Sequence, residues 1–228
     1  ARRLADIGTL AATVAHELRN PLGVIKTAAY NIRRKVEKGI VERQLANIDR
    51  KIGESDHIIR NLLSYARIQQ PVKQALPLWE TLEETIGHCR ERHAGQGEHI
   101  HLEIDGCDDD VFEADPTQIE ELVANLVDNA IHAYPEGRGP VAVRVLCDPQ
   151  MNRLTILVHD RGEGMTEEKL KKIFEPFYTN RARGVGLGMT VVQQVVHLHG
   201  GTIEVESHPG KGTTVMVALP LGRGEEKR

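Results

Sequence analysis

Apolar residues recur at Leu4, Ile7, Leu10, Val14, Leu18, Leu22, Ile25, Ala29, Ile32 and Val36, in steps of three and four. That spacing predicts one stripe of a long amphipathic helix from about residue 3 to 37, stopping near Lys38-Gly39. Val41, Leu45, Ile48, Ile52, Ile59, Leu63 and Ala66 predict a second helix, with Asp56 interrupting its stripe. Two long helices joined by a short turn make an antiparallel hairpin. A lone hairpin cannot cover both stripes. Pairing with a second copy into a four-helix bundle is the economical solution, and a lid from the rest of the chain is the alternative. Gln69-Gln70-Pro71 ends the second helix, because the residue before proline is pushed out of the helical region. The expected division is therefore a hairpin over 1–70, a second domain over 71–222 and a disordered tail over 223–228.

Beyond Pro71 the pattern is mixed. Val72 to Leu78 reads as a short extended piece and Trp79 to His93 as an amphipathic helix, and Ile100 to Ile104 alternates as a strand. Asp115-Pro116-Thr117 is a helix start, with Ile119, Leu122, Val123, Leu126, Val127 and Ile131 on one side and Pro135-Glu136-Gly137 as its end. Val141–Leu146 and Leu154–Val158 are strand-like, Glu167–Ile173 a short helix, and Met189–Leu198 another helix closed by Gly200-Gly201. Ile203–Glu206 and Thr213–Leu219 finish as strands around a turn at Pro209 to Gly212. Strands and helices alternate without a regular βαβ period, which predicts an α+β two-layer sandwich with its helices on one face.

Composition narrows this picture. The chain has 228 residues, 40% of them hydrophobic, enough for a real core. A net charge of −4 with both signs interspersed gives no basic stripe for nucleic acid. No apolar run reaches the ~18 residues of a membrane span, and no secretory signal opens the chain, so no membrane contact is expected within this stretch. Cys89, Cys107 and Cys147 form no CxxC and are expected to be reduced in a cytoplasmic setting. His88, Cys89, His93, His99 and His101 match no zinc-finger spacing and read as solvated surface. The chain starts in phase with its first stripe, as a portion of a longer protein would.

Candidate chemistry begins at His16. At about 100° per residue it lies roughly opposite the centre of the first stripe and so points to water, and Asn20 shares its face one turn on. Pro21 lacks an N–H and crowds the carbonyl of Glu17, so a kink is expected beside the histidine. Alone, such a histidine is most often merely solvated. Asn125 and Asn129, four residues apart, project two amides from one helix face, which suits a hard cation and phosphate oxygens or else a plain polar surface with Asp128 beside it. Asp160-Arg161-Gly162-Glu163-Gly164 follows a strand; the aspartate can accept an exocyclic amino proton, although such a turn is common. Gly184-Val185-Gly186-Leu187-Gly188 precedes a helix, where backbone N–H groups can meet phosphates. It is neither a Walker loop nor a dinucleotide fingerprint.

In combination these segments are specific. Asn-x-x-x-Asn, DxGxG, Phe174-Glu175-Pro176-Phe177 and GxGLG, with His-Glu-x-x-Asn-Pro upstream, resemble the sensor histidine kinases of two-component signalling over about residues 4 to 220. Asn180-Arg181-Ala182-Arg183 resembles the short ATP lid of nitrogen-regulator-type kinases, with Asn180-Arg181 where close relatives often carry Thr-Lys. The resemblance implies a dimerisation and phosphotransfer hairpin followed by a Bergerat-type domain binding ATP and Mg²⁺. It implies an autokinase in which His16 takes the γ-phosphoryl and passes it to an aspartate of a response-regulator receiver domain. Glu17 would hold the proton on the other ring nitrogen, and Asn20 would orient water in a receiver phosphatase reaction. Asn129, assisted by Asn125, would hold the metal, and Asp160 would read the adenine amino group. Gly162, Gly164, Arg181, Arg183, Gly184, Gly186, Leu187, Gly188 and Thr213 would complete the nucleotide site. His132 would join them, standing where many members carry a lysine.

Two other readings differ in outcome. ATP-hydrolysing members of the wider superfamily, such as gyrase and the Hsp90 chaperones, carry a water-activating glutamate four residues before the metal-binding asparagine. Asn125 stands there, with no useful basicity, and Glu121 lies one turn too early. A dimerisation module with a degenerate nucleotide domain is disfavoured by the intact glycine boxes.

Overall fold

The computed structural model describes residues 18, 21–32, 41–49, 51–52, 55, 70–93, 99–106, 112–135, 139–179 and 186–222. The chain divides into two compact units, Ala1–Arg67 with Glu175–Leu187, and Ile68–Phe174 with Gly188–Arg228.

In the first unit residues 21–32 and 41–49 are helical, in agreement with the two stripes. Ile25, Ala29 and Ile32 are half-buried, yet Leu22 is 58% exposed, and Leu45 and Ile52 are each 47% exposed. The predicted stripes thus leave large apolar side chains open to solvent in the single chain. The segment just before Pro21, where the kink is expected, and the turn at Lys38-Gly39 lie outside the described residues.

The second unit holds a five-stranded mixed sheet of order β2-β4-β5-β7-β6. Its strands are β2 (Ile100–Asp105), β4 (Val141–Asp148), β5 (Arg153–Asp160), β6 (Thr202–His208) and β7 (Gly212–Pro220). β2 and β4 are parallel and every other pair is antiparallel. Helices α1 (Leu78–Arg92), α2 (Pro116–Ile131) and α4 (Gly188–Leu198) form the second layer, α2 packing on both α1 and α4. Helix α3 (Glu167–Lys172) is short and buries nothing. The core lies between the layers. Val143, Val145, Leu154, Ile156, Val217 and Leu219 from alternate strand positions meet Leu82, Ile86, Ile119, Leu122, Val123, Val127, Val192 and Val195 from the helices. The α+β two-layer sandwich is as expected.

Three details differ from expectation. A small second sheet pairs β1 (Gln74–Leu76) with β3 (Phe112–Ala114), a three-residue strand too short to carry a periodic signal. Helix α2 stops at Ile131 rather than near Pro135, because Ala133 and Tyr134 donate to the carbonyls only three residues back, of Ala130 and Ile131. Cys147 is disulfide-bonded, not the reduced thiol expected. Cys89 is a free thiol, pushed up to about 12 by burial and then by the charge of Asp128.

One half-buried residue ties the ends of this layer together. Asp115 caps α2 by accepting from Gln118 N–H at 3.2 Å and also accepts from Val72 N–H at 3.0 Å. Its own N–H donates to His199 Nε2 at 3.2 Å, while His199 Nδ1 lies 2.9 Å from the Val195 carbonyl. Nδ1 must therefore carry the proton, which makes the ring the neutral tautomer. Burial holds this imidazole below its ordinary value of 6.5. The unfolded chain takes up that proton below about pH 6.5 and the folded chain resists it, so this contribution to stability is present above that pH and declines as pH falls. We expect the chain to lose thermal stability between pH 7.5 and 5.5. His199→Gln should flatten that slope while costing about 1–3 kcal/mol at pH 7.5. Chemical denaturation across that range checks both, and an unchanged slope in the variant would remove His199 as its source.

Candidate functional site

The site is strung along α2. Its apolar side is buried in the core, and the 3.6-residue turn leaves Asn125 and Asn129 half-buried on another side. Asn125 Nδ2 donates to the Glu121 carbonyl at 2.9 Å, which presents Oδ1 outward. That Oδ1 lies 2.9 Å from where a Cβ on Gly188 would sit, and Asn129 Nδ2 lies 3.7 Å from the same point. The two amides therefore rest against the first residue of α4, where helix N–H groups are left without intrahelical acceptors. Thr190, in that first turn, donates from Oγ1 to the Phe174 carbonyl at 3.3 Å. An amide oxygen and an amide N–H group beside a positive helix end suit a hard cation and anionic oxygen.

Just beyond the end of α2, at Ala133, the chain meets the loop after β5. Asp160 is 4% exposed at the end of β5. Gly162 N–H donates to its carboxylate at 2.8 Å, and Thr213 N–H donates to it as well. Burial raises the carboxyl above the usual aspartate value, and those two donors pull it back. Thr213 Oγ1 is 2.9 Å from Ser207 Oγ, which receives Met165 N–H at 2.9 Å and donates to the Gly212 carbonyl at 3.1 Å. Glu163 N–H donates to the Ala133 carbonyl at 2.9 Å, and Gly210 N–H to the Glu163 carbonyl at 2.7 Å. The Asp160–Gly164 loop is thus clamped between the end of α2 and the β6–β7 turn. Gly162 and Gly164 have no room for a side chain: a Cβ would collide with the carbonyls of Ala133 and His208, and Gly164 has φ +63°.

The structure therefore brings Asn125, Asn129 and Gly188 together, and Asp160, Gly162, Gly164 and Thr213 together. Gly186 and Leu187 fall in the other unit: Gly186 has φ +69°, its carbonyl accepts from Phe177 N–H at 3.0 Å, and Leu187 is fully buried. His16, Glu17, Asn20, Arg181, Arg183 and Gly184 lie outside the described residues. His132 caps α2, its Nδ1 2.5 Å from the Asp128 carbonyl and its ring edge-on to His93 at 5.2 Å between centroids.

Asp128 is more than a neighbour of the amides. It is buried, with its carboxylate 2.9 Å from both Arg92 Nη1 and His93 Nε2 of the α1 end. Its place at the edge of the apolar stripe, between Val127 and Ile131, was the available signal, since a carboxylate there requires partners. His93 and Cys89 are correspondingly not solvated surface. Among the described residues no group of three or more His, Cys, Asp or Glu could hold a metal, and no helix is long and apolar enough to cross a membrane.

A buried carboxylate at the end of β5 and two amides against the first residue of α4 are the groups a nucleotide-binding sandwich would use for a base and for phosphates. The family comparisons agree. Residues 114–223 match the family described as "Histidine kinase-, DNA gyrase B-, and HSP90-like ATPase", and residues 6–71 match "His Kinase A (phospho-acceptor) domain". The chain belongs to the sensor histidine kinases of two-component systems. It is 35% identical to the sensor histidine kinase ZraS of Klebsiella oxytoca over 99% of this chain and 48% of that protein. It is 32% identical to sporulation kinase E of Bacillus subtilis (strain 168) over 97% of this chain and 30% of that protein. Among solved structures, the histidine kinase ThkA in complex with the response regulator protein TrrA matches with a TM-score of 0.76 at 26% identity, over 100% of this chain and 65% of that one. The chain thus spans about half or less of the length of these curated relatives.

The clamp around the loop makes a direct prediction. Gly164→Ala forces a Cβ into the His208 carbonyl at positive φ and should destabilise the chain by about 2–4 kcal/mol. Gly87→Ala, inside α1 with nothing within 4 Å, should stabilise it by about 0.5–1 kcal/mol. Opposite shifts of the denaturation midpoint are expected, and shifts of the same sign would contradict the geometry.

Proposed function

We propose that this chain is the kinase portion of a longer sensor, cytoplasmic and homodimeric. In this reading residues 1–70 form the dimerisation and phosphotransfer hairpin and 71–222 the ATP-binding domain. The observation that carries the reading is the pairing of Asp160, held just beyond the C-terminal end of α2, with Asn125 and Asn129 on that helix and Gly188 against them, downstream of a phospho-acceptor module. Asp160 accepts the adenine amino group, and the phosphates lie against the start of α4 with Arg181 and Arg183 as lid cations. Asn129, with Asn125, would hold Mg²⁺, which would supply charge to offset that of the phosphates; carboxamides, with oxygen as their donor atom, are ligands that ion accepts.

One ring nitrogen of His16 attacks the γ-phosphorus. The N–P bond forms as the bond to the bridging oxygen of ADP breaks, and Glu17 holds the proton on the other nitrogen. A receiver aspartate then displaces the imidazole, forming an acyl phosphate. Exposed Leu22, Leu45 and Ile52 on the hairpin stripes support a second copy as the cover for this unit. Asn20, four residues from His16 in the sequence, orients water for attack on the phosphorus of the aspartyl phosphate, which releases inorganic phosphate and restores the carboxylate.

Incubation with γ-labelled ATP should place acid-labile, alkali-stable label on the wild-type chain and none on His16→Gln; label that persisted in the variant would sink the assignment. Asp160→Asn should weaken ATP binding about ten- to a hundredfold, as expected for loss of a buried ionised acceptor. Asn20→Ala should slow dephosphorylation of a phosphorylated receiver while sparing His16 labelling, and an unchanged rate would refute its role.

A further inference from the structure

Tyr134 lies three residues beyond α2 and is absent from the kinase motifs. Its hydroxyl accepts the N–H of Arg161 at 2.8 Å and donates to the carbonyl of Pro140 at 2.5 Å. These two backbone groups are not an arbitrary pair. β4 and β5 are antiparallel, and their last registered partners at this end are Val141 and Asp160. In that register the next pair would be Pro140 and Arg161. The phenol therefore stands where the next rung of the ladder would fall, and it carries the hydrogen bond from one strand end to the other. Proline brings no N–H of its own, so this donor–acceptor bridge is what the hydroxyl supplies. The ring is fixed too: it packs so closely over Gly139 that a Cβ there would collide with it.

We propose that Tyr134 is a positioning residue for the base-reading end of the nucleotide site, acting through Arg161 on the neighbouring Asp160 carboxylate; this rests on the ATP-binding reading above. The loop carrying Asp160 is anchored to the end of α2 at two points, the Ala133 carbonyl under Glu163 and the Tyr134 hydroxyl under Arg161. The first anchor is backbone and survives any side chain at 133. The second is a single oxygen, and a phenylalanine at 134 keeps the ring over Gly139 while deleting it. Burial, and after it the nearby Asp160 charge, raise the phenol above its ordinary value of 10, so the hydroxyl stays protonated and remains a donor at neutral pH. Without it, the Arg161 N–H and the Pro140 carbonyl must close directly or turn to water. Either change moves the backbone next to Asp160.

The test compares the full chain with Tyr134→Phe in binding two triphosphates, ATP and that of purine riboside, which lacks the amino group. The expected result is about five- to tenfold weaker ATP binding. Binding of the purine riboside nucleotide should stay nearly unchanged, so that discrimination between the two falls, with little change in the thermal midpoint. ATP affinity and discrimination equal to wild type would overturn the proposal. So would an equal loss for both nucleotides accompanied by a lowered midpoint, which is what a purely structural tyrosine would give. A wild-type chain that bound neither nucleotide would instead strike at the ATP-binding reading and take this proposal with it.

Discussion

The constraint on which the second unit depends is that α2 serves the core and the ligand at once. Ile119, Leu122, Val123, Leu126, Val127, Ala130 and Ile131 bury one side of it against α1, α4 and the sheet. That packing fixes its axis and its rotation. Once the rotation is fixed, the 3.6-residue turn decides where Asn125 and Asn129 face, and the helix length decides how far they stand from the Asp160 loop. Small changes of core volume would rotate both amides together, so the chemistry of the site inherits its precision from the apolar contacts behind it.

The sheet end of the site obeys a different logic. A carboxylate buried at a strand terminus is costly unless donors surround it. Here the donors are backbone N–H groups from Gly162 and Thr213, which add no bulk where a flat ligand must approach. Backbone donors require close approach of three chain segments, and that approach leaves no space for side chains at Gly162, Gly164 and Gly212. The glycines of this region are thus a consequence of how Asp160 is held, and the Ser207 hydroxyl, linking Met165, Gly212 and Thr213, completes the same clamp.

Much of this is legible in the amino-acid sequence. Strong helical periodicity gave α2 and its cap at Asp115, and alternation gave all five strands of the main sheet, because each signal is local and repeats several times. What escaped reading depends on distant partners. β3 is a strand only because β1 lies beside it. His199 carries no local signal of its role, yet it receives the Asp115 N–H from 84 residues away. Tyr134 works through backbone groups of two other segments, and no spacing rule encodes such a bridge. Asp128 was readable in principle from its place at the stripe edge, but its partners on α1 were not.

The same geometry bears on why such a domain would transfer a phosphoryl group rather than spend it on water. A hydrolytic relative needs a base near the γ-phosphate. In this chain that place on α2 holds Asn125, whose Nδ2 is committed to the Glu121 carbonyl and whose Oδ1 rests against Gly188. A carboxamide so held can accept a hydrogen bond or a cation but cannot take a proton from water, whose conversion to hydroxide at neutral pH requires a base or a strongly polarising metal. On the proposed reading, this stretch of α2 binds the triphosphate without activating a nucleophile of its own, and the nucleophile is supplied from elsewhere.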